Sequence, residues 1–487
     1  MSAVRHLRDL LPPGASVRED VLDLAVTGLA LDSRQVKPGQ IFAALPGVRT
    51  HGRDFVAMAE DRGAVAILGT PDTATRKPLI AVEDPREALA AMAAKFYPRQ
   101  PRTIAAVTGT NGKSSTVEFL RQIWAMSGRK AAALGTLGVT RESGRTDVGY
   151  TTPDAIRLHE ALDEIAREGV THLAMEASSH GLKQRRMDAV KVSLAGFTNL
   201  TQDHLDYHPD FEDYFASKLR LFDTLLPAGA PAVIDVDTEW GVKVADRCRE
   251  LGRDVTTIGW GGRELQIKEI TPHPASQDIR LAYKGEEHRL TLPLIGEFQT
   301  SNALMAAGLA IRSGVSPEEV FAGLSKLAGV PGRLELAATT RENCPILVDY
   351  AHTPDGLDKL LRAARPHTRG RIVLVFGAGG DRDPSKREKM GAVAQKLADL
   401  VIVTDDNPRS EDPAKIRASI LKACPKAREI ADRSQAIGEA VAMLEAGDTL
   451  LIAGKGHETG QIVGDRVIPF DDREAAKKAL KQQGRGR

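Results

Sequence analysis

Cysteine is scarce in this sequence. Cys248, Cys344 and Cys424 are the only three among 487 residues, and they are far apart and odd in number. They cannot form a disulfide framework or a zinc site built on cysteine pairs. The sequence therefore indicates a protein of a reducing compartment.

Long apolar runs are missing as well. No stretch approaches the ~20 residues that span a bilayer. The first residues, MSAVRHLRDLLPPG, lack the apolar core of a signal peptide. We expect a cytoplasmic protein without membrane insertion.

An excess of charge of one sign is also lacking. The 66 Lys and Arg residues nearly balance the 65 Asp and Glu residues, which leaves a net charge of +1. This balance removes the bulk electrostatic argument for nucleic acid, because such partners are held mainly by clustered positive charge. We expect no nucleic-acid partner, and we expect a monomer.

The length and the apolar pattern predict an α/β protein of about three domains. In residues 1–98, short apolar runs alternate with helix-like stretches such as 84–97, which predicts a small N-terminal α/β domain. Residues 99–331 alternate strands and helices in the pattern of a mostly parallel central sheet of the P-loop type, and toward their end the pattern suggests a helix that begins near Ser301. In residues 332–487, four strand-like runs end in polar or glycine residues, which predicts a Rossmann-like doubly wound sheet.

A glycine-rich turn lies between a predicted strand and a predicted helix, in the segment TGTNGKSS at 108–115. Its glycines allow the backbone to turn sharply and to direct N–H groups at an anion. The full Walker pattern has glycine where this chain has Val107, so the loop is a shortened form. A tight turn with a surface lysine is the alternative. The phosphate-binding interpretation names Gly109, Thr110, Asn111, Gly112, Lys113, Ser114 and Ser115.

Five segments together resemble the Mur ligase family, whose relatives include the folylpolyglutamate synthetases. They are the loop above, TTPD at 151–154, MEASSHGLKQRR at 175–186, DYAHTPD at 349–355 and DNPR at 406–409. The set is most similar to the members that add meso-diaminopimelate to UDP-N-acetylmuramoyl-L-alanyl-D-glutamate. The resemblance covers essentially the whole chain. It implies an ATP- and Mg²⁺-dependent amide ligase of peptidoglycan precursor synthesis that works through an acyl phosphate.

The resemblance also assigns metal ligands that the residues alone leave open. Glu176 reads equally as an ordinary strand-end carboxylate, the segment at 202–208 as a solvated loop, and Lys218 as a surface lysine. By resemblance, Glu176 and Ser114 hold one Mg²⁺, and His204 helps to hold a second. A carbamylated Lys218 would supply an anionic oxygen that supports the metal. The catalytic set implied is Lys113, Glu176, His204 and Lys218.

Acceptor contacts are likewise implied by the resemblance. The first block would hold the UDP end, although its residues read alone are only a turn and a strand. The implied substrate contacts are Leu31, Ser33, Thr151, Thr152, Ser178, Gln184, Arg186 and Lys218. Ser178-Ser179-His180 also suggests a catalytic nucleophile, but the Gly-x-Ser-x-Gly elbow that would support this is missing.

On the nucleotide side, the segment GEFQTSN at 296–302 resembles the part of the family that meets adenine. Gln299 stands where the family more often has asparagine. The implied contacts to ATP beyond the loop are Asn302, Arg333, Asp349 and His352.

The DNPR segment carries the predicted selector of the incoming amino acid. Read alone, it is a turn with an exposed arginine. Diaminopimelate differs from lysine by a distal carboxylate, which a guanidinium binds with two parallel hydrogen bonds. When lysine binds, a buried arginine is left unpaired, so lysine is penalised. The implied contacts are Arg382, Asp406, Asn407, Pro408, Arg409, Gly454 and Glu458.

Two other functions remain as alternatives. One is the lysine-adding ligase of the same family, and the other is a nucleotide-binding regulator that hydrolyses ATP to change shape. Dinucleotide binding is excluded, because GAGG at 377–380 would need a third glycine at 382, where the chain has Arg382.

Overall fold

The chain forms two compact units of α/β structure. The computed structural model describes residues 4–47, 50–146, 151–201 and 207–486. One unit contains Met1–Arg263 and Met305–Val320, and the other contains Glu264–Leu304 and Phe321–Arg487.

The first unit begins with a four-stranded parallel sheet in the order β3-β4-β5-β6. Helix α3 starts where the sequence predicts, because the Asp84 side chain accepts hydrogen bonds from the first backbone N–H groups and Pro85 occupies the first turn. Single-turn helices lie at Glu19–Val21, Ser33–Gln35 and Gly52–Phe55. The elements are β1 Arg5–His6, α1 Leu7–Leu10, β2 Ala25–Val26, β3 Gly28–Ala30, β4 Gln40–Ala43, α2 Val56–Asp61, β5 Ala66–Gly69, β6 Leu79–Ala81 and α3 Pro85–Phe96.

A larger sheet fills the rest of this unit, with the strand order β10-β9-β8-β11-β7-β12-β13-β14. Neighbouring strands are parallel except that β9 is antiparallel to both β8 and β10. The elements are β7 Thr103–Thr108, α4 Lys113–Met126, β8 Ala131–Gly135, β9 Gly138–Arg141, β10 Gly144–Thr146, α5 Ala155–Arg167, β11 His172–Glu176, α6 Ser179–Lys183, β12 Leu194–Phe197, α7 Phe211–Arg220, a π-helical turn at Leu221–Leu225, β13 Pro231–Asp235, α8 Glu239–Glu250 and β14 Asp254–Gly259.

The position of β7 in this sheet decides where a site can lie. It is buried between β11 and β12, to which it is parallel. The carboxyl ends of the three strands therefore meet at one edge, and polar residues that follow them come together there.

The second unit contains an antiparallel meander and a six-stranded sheet in the order β18-β19-β23-β20-β21-β22. The six strands are parallel except β18. The elements are β15 Leu265–His273, β16 Ser276–Tyr283, β17 Glu286–Leu292, β18 Glu335–Thr339, β19 Pro345–Asp349, α11 Pro354–Ala364, a single turn at Arg365–His367, β20 Ile372–Phe376, α12 Ser385–Leu397, β21 Leu400–Val403, α13 Pro413–Leu421, β22 Arg428–Glu429, α14 Arg433–Ala442, β23 Thr449–Ala453, β24 Gly460–Val463, β25 Arg466–Pro469 and α15 Asp472–Gln482. Two helices contribute residues to both units, α9 Glu297–Arg312 and α10 Pro317–Leu324.

Alternate residues of these parallel strands enter two separate cores. Leu347, Leu374 and Leu451 pack on one face of the sheet. Ile346 and Val373, one position away, pack on the other face with residues of α14 and α15. A sheet that is covered on both faces is the doubly wound arrangement that the apolar runs predict.

The α/β fold class is confirmed, including the mostly parallel central sheet and the doubly wound C-terminal sheet. One helix differs in its start: α9 begins at Glu297, before Ser301, where the sequence suggests it. The domain boundaries at residues 98 and 331 stay predictions. Among the helices of the described residues, none combines the length and apolar character that crossing a membrane requires.

Candidate active site

The phosphate-binding loop leads from β7 into α4. Gly109 and Gly112 both have positive φ, at +144° and +86°, a region that favours glycine. A Cβ at position 109 would lie 2.0 Å from Thr198 Oγ1. The glycine therefore permits both the turn and the close approach of the neighbouring strand end.

Residues that follow β12 hold this loop in place. Thr110 N–H donates to the Asn199 carbonyl at 2.9 Å, and Asn111 N–H donates to Asn199 Oδ1 at 3.0 Å. The Thr198 hydroxyl donates to the Asn111 carbonyl at 2.6 Å. Sequence reasoning missed Thr198 and Asn199. Their position after the strand beside β7 is the signal that could have found them.

The lysine of the loop folds back over its own backbone. Lys113 Nζ donates to the carbonyl groups of Gly109 and Thr110, at 3.0 and 2.7 Å. The charged oxygens of a triphosphate would compete with these neutral acceptors for the ammonium, because charge-assisted hydrogen bonds are the stronger ones. Ser115 is buried in the first turn of α4.

Ser114 and Glu176 meet although they are far apart in sequence. The Ser114 hydroxyl donates to Glu176 Oε1 at 2.8 Å, and the Thr136 N–H donates to the same oxygen at 2.8 Å. Glu176 is 1% exposed, and a Cβ at Gly135 would lie 2.1 Å from its Oε1, so the carboxylate occupies a cradle that only glycine leaves open. This all-oxygen set fits Mg²⁺, which prefers oxygen ligands.

Two predicted metal ligands remain, His204 and Lys218. The described residues hold no group of three or more His, Cys, Asp and Glu side chains that could bind a metal. His204 lies outside the described residues. Lys218 on α7 is 1% exposed, and its Nζ donates to the Gly109 carbonyl at 2.7 Å. Tyr214, one turn earlier, places its hydroxyl 3.1 Å from Thr110 Oγ1, so α7 contacts the phosphate loop twice.

Four predicted acceptor residues form one hydrogen-bonded network. The Thr152 hydroxyl donates to the Glu176 carbonyl and accepts from the Ser178 hydroxyl, at 3.1 and 3.0 Å. Arg186 donates to the Thr152 carbonyl at 2.7 Å and to Gln184 Oε1 at 2.8 Å. Thr151 joins through Thr136, with the two hydroxyl oxygens 3.0 Å apart. The structure therefore brings these five residues to the same edge as the phosphate loop.

Tyr207 and His208 support this network and were missed by sequence reasoning. Gln184 Nε2 donates to the Tyr207 hydroxyl at 3.0 Å. His208 Nδ1 donates to Asp213 at 2.6 Å, and its Nε2 is hydrogen-bonded to the Ser179 hydroxyl at 3.1 Å. Ser179 is 2% and His208 1% exposed, so these hydrogen bonds connect α6 to Asp213 in the first turn of α7.

In residues 1–98, the two predicted substrate contacts, Leu31 and Ser33, are partly or mostly buried. The Ser33 hydroxyl lies 3.4 Å from Met58 Sδ and is mostly buried. Leu31 packs on the core that also contains Ala155 and Ile156, the first residues of α5. The TTPD segment at 151–154 is therefore followed directly by residues that pack in this core.

The predicted adenine-side residues of the second unit are connected. Asn302 Nδ2 donates to Gln299 Oε1 at 2.9 Å, and Gln299 Nε2 donates to the Arg333 carbonyl at 3.3 Å. The Arg333 guanidinium lies over the Tyr350 ring, 5.5 Å from its centroid. Gln299, the departure from the family pattern, is thus the link between the two predicted contacts.

Asp349 and His352 lie at the carboxyl end of β19. Asp349 accepts backbone hydrogen bonds from Leu334 and Ala351, at 2.7 and 2.8 Å. Burial raises the pKa of its carboxyl, while the Arg333 charge and these N–H groups act against the rise. His352 Nδ1 donates to the Tyr350 carbonyl at 2.9 Å, which fixes the ring's orientation.

The loop of Arg409 interlocks with the loop after β20. Arg409 has a φ of +51°, and its Nη1 donates to the Gly380 carbonyl at 2.8 Å. Gly380 N–H donates in turn to the Asn407 carbonyl at 2.9 Å. A Cβ at Gly380 would lie 1.9 Å from the Pro408 carbonyl oxygen. Arg382 follows on the same loop and is exposed.

Asp406, Asn407, Gly454 and Glu458 also come together. Asn407 Nδ2 donates to Glu458 Oε2 at 2.9 Å. A Cβ at Gly454 would lie 3.0 Å from Asp406 Oδ2. Lys455, which sequence reasoning missed, lies among these residues. Its place inside the GKGHE segment was the available signal.

Comparisons with known proteins match this arrangement. The family descriptions that fit the chain are "Mur ligase family, catalytic domain" at residues 25–97, "Mur ligase middle domain" at 107–310, and "Mur ligase, glutamate ligase domain" at 332–456.

Similar proteins extend over the whole chain. A UDP-N-acetylmuramoyl-L-alanyl-D-glutamate--2,6-diaminopimelate ligase of Mesorhizobium japonicum is 50% identical over 484 residues, 99% of this chain and 99% of its own. A protein of the same name from Bradyrhizobium diazoefficiens is 52% identical over 480 residues, 97% of this chain and 99% of its own. A solved structure with that name has a TM-score of 0.76 at 30% identity and covers 99% of this chain and 100% of its own.

Proposed function

The chain belongs to the Mur ligase family, and we propose that it performs the reaction for which its relatives are named. It is an ATP-dependent ligase that joins meso-diaminopimelate to UDP-N-acetylmuramoyl-L-alanyl-D-glutamate in peptidoglycan precursor synthesis. We place the reaction in the cytoplasm and expect a monomer. By domain, residues 1–98 bind the UDP substrate, 99–331 bind ATP and 332–487 bind the amino acid.

One observation carries the choice of amino acid. Relatives half identical over nearly the full length are diaminopimelate ligases, and in this chain Arg409 stands on a loop braced by Gly380 and by the partners of Asn407. A guanidinium held in this way suits the planar distal carboxylate that diaminopimelate has and lysine lacks.

The chemistry proceeds in two steps. An oxygen of the D-Glu γ-carboxylate attacks the γ-phosphorus of ATP, the bond to the β-phosphate oxygen breaks, and an acyl phosphate and ADP result. The neutral amine of diaminopimelate then attacks the acyl carbon, phosphate leaves, and the nitrogen loses a proton to form the amide. Two anions meet in the first step, so positive charge must screen them.

The residues around the phosphate loop supply this environment. Lys113 binds the terminal phosphates, and the loop N–H groups and the start of α4 orient the triphosphate. Ser114 and Glu176 would hold Mg²⁺, with His204 supporting a second ion. When bound, Mg²⁺ neutralises charge on the phosphates and the carboxylate. Thr152, Ser178, Gln184 and Arg186 orient the acceptor.

A carbamylated Lys218 is part of this proposal. Its support is the buried position of Nζ beside the phosphate loop, 2.7 Å from the Gly109 carbonyl. Lys218→Ala should abolish turnover, and short carboxylic acids should restore part of it by replacing the carbamate. Lys243→Ala, at an exposed site on α8, is the control. Activity that persists in Lys218→Ala, or a loss that such acids never restore, would exclude the carbamate.

Product analysis tests the function as a whole. With ATP, Mg²⁺, the UDP-dipeptide and meso-diaminopimelate, the product mass should equal that of the joined substrates less one water, with one ADP formed per amide. A regulatory ATPase would release ADP steadily without the amino acid and would form no amide. A lysine-adding ligase would give the lysine product instead.

A further inference from the structure

A buried lysine lies beneath the predicted amino-acid pocket. Lys455 is 0% exposed, and its ammonium faces three polar side chains. Nζ is 3.0 Å from Asn407 Oδ1, 3.2 Å from Glu458 Oε2 and 3.6 Å from Asp406 Oδ1. A buried ammonium is costly unless it is paired, and here all three partners are predicted substrate contacts.

Exposure increases from the lysine toward the pocket. The side-chain exposures are 0% for Lys455, 7% for Asp406 and 33% for Glu458. A substrate can therefore reach Glu458 but not the ammonium, so Lys455 acts through other residues.

Lys455 and Asn407 together fix the Glu458 carboxylate. Both donate to Oε2, at 3.2 and 2.9 Å. Within the part of the chain that the structure describes, Oε1 has no hydrogen-bond donor. Oε2 of Glu458 is thus held by two hydrogen bonds, and Oε1 is presented to an incoming ammonium.

The same ammonium determines how the Asn407 amide is turned. Oδ1 of Asn407 accepts from Lys455 and from the Ile462 N–H, the latter at 2.9 Å, so Nδ2 must face Glu458. Ile462 lies on β24, and its carbonyl accepts from Arg409 N–H at 3.1 Å. Lys455 therefore ties the Glu458 loop to the loop that carries Arg409.

We propose that Lys455 is a positioning residue for the incoming amino acid: it holds Glu458 to read an ammonium group and keeps Glu458 in register with Arg409, which reads a carboxylate. This inference rests on the proposed function. Lys455 pairs with Oε2 of Glu458, and the Oε1 atom that it leaves unbonded is the group presented to an ammonium of diaminopimelate. Without Lys455, the two carboxylates would repel each other and Glu458 would turn toward solvent.

Lys455→Met tests this, because it keeps the length of the side chain and removes its charge. The KM for meso-diaminopimelate should rise about 10- to 100-fold, while the KM for ATP changes less than about twofold. The matched control is Lys422→Met, whose ammonium is exposed and pairs with Glu388; both constants should stay at the parent values. A parent KM for diaminopimelate in Lys455→Met, or equal rises for both substrates, would overturn the proposal.

A double substitution separates positioning from a general loss of structure. If Lys455 acts through Glu458, Lys455→Met added to Glu458→Gln should raise the KM for diaminopimelate little beyond Glu458→Gln alone. Independent, multiplying effects would contradict this route. If Lys455→Met does not fold, the double variant, which lacks one of the unpaired carboxylates, gives the same comparison against Glu458→Gln. A parent protein that forms no amide refutes the proposed function, whereas an active parent with an unaltered Lys455→Met refutes the inference alone.

Discussion

Glu176 illustrates how one side chain acquires its role from its surroundings. Its sequence position, after an apolar run, is equally that of an ordinary carboxylate at a strand end. In the structure it is almost fully buried and accepts hydrogen bonds from Ser114 and Thr136. A carboxylate withdrawn from water in this way is suited to a cation, because burial without compensation is costly.

Arg409 gives a prediction at the same scale. Arg409→Lys keeps the charge but loses the planar fork that pairs with a carboxylate. The kcat/KM for meso-diaminopimelate should fall about 10- to 100-fold, with little change in the KM for ATP. Steady-state kinetics with each substrate varied would measure this. The control is Arg428→Lys on the exposed strand β22, and a loss of the same size there would remove the special role of Arg409.

The buried carboxyl of Asp235 should make the stability of the folded protein depend on pH. Burial raises the pKa of its carboxyl from 3.8 to about 7, and the nearby Asp237 charge adds to the rise. The folded state therefore binds more protons than the unfolded state between about pH 4 and pH 7, so the free energy of unfolding falls as the pH rises through this window.

Asp235→Asn should remove this penalty, because an amide cannot ionise and its Oδ1 can still accept from the Asp237 N–H, as Asp235 does at 3.0 Å. Urea unfolding at pH 8 should give a variant more stable by roughly 2–4 kcal/mol, with no difference at or below about pH 4. Asp246→Asn, at an exposed site of α8, is the control. An Asp235→Asn variant no more stable than the parent at pH 8 would refute the buried-carboxyl account.

At the scale of elements, the turn from β7 into α4 depends on one glycine. Gly109→Ala would force a Cβ to within 2.0 Å of Thr198 Oγ1 and 3.0 Å of the Asn199 backbone. The loop would have to shift, and a displacement of about 1 Å at a reacting group can cost about 100-fold in rate. We expect kcat/KM for ATP to fall by about that factor.

Gly144→Ala is the matched control for the effect of placing alanine at a backbone position with positive φ. Gly144 also has a positive φ, +126°, but nothing lies within 4 Å of its Cβ position. This substitution should leave the kinetics with ATP unchanged and cost about 1 kcal/mol of stability. If both variants lose ATP turnover alike, strain in the glycine backbone and not the approach of Thr198 would explain the effect.

The alternation of strands and helices was largely predictable, because the spacing of apolar residues is a local signal. The start of α3 could be predicted from Asp84 and Pro85, because a cap is a local signal. The predicted start of α9, near Ser301, was too late, because the helix begins at Glu297.

At the scale of the whole molecule, the contacts within each unit's candidate site residues join positions distant in sequence. Lys218 reaches the Gly109 carbonyl across 109 positions, and Lys455 reaches Asn407 across 48. No periodicity or propensity reports such pairings. The family resemblance supplied Lys218, which by itself reads as a surface residue. Neither route identified Asn199, Tyr207 or Lys455, because each contacts a motif residue that is distant in sequence, Asn111, Gln184 and Asn407 respectively.

A competition experiment tests the central claim most directly. The protein is given ATP, Mg²⁺, the UDP-dipeptide and equal concentrations of meso-diaminopimelate and L-lysine, and the two amide products are resolved by mass. The Arg409 loop predicts that the diaminopimelate product exceeds the lysine product by at least about 100-fold. Comparable amounts of the two products, or ADP release without either, would contradict the account.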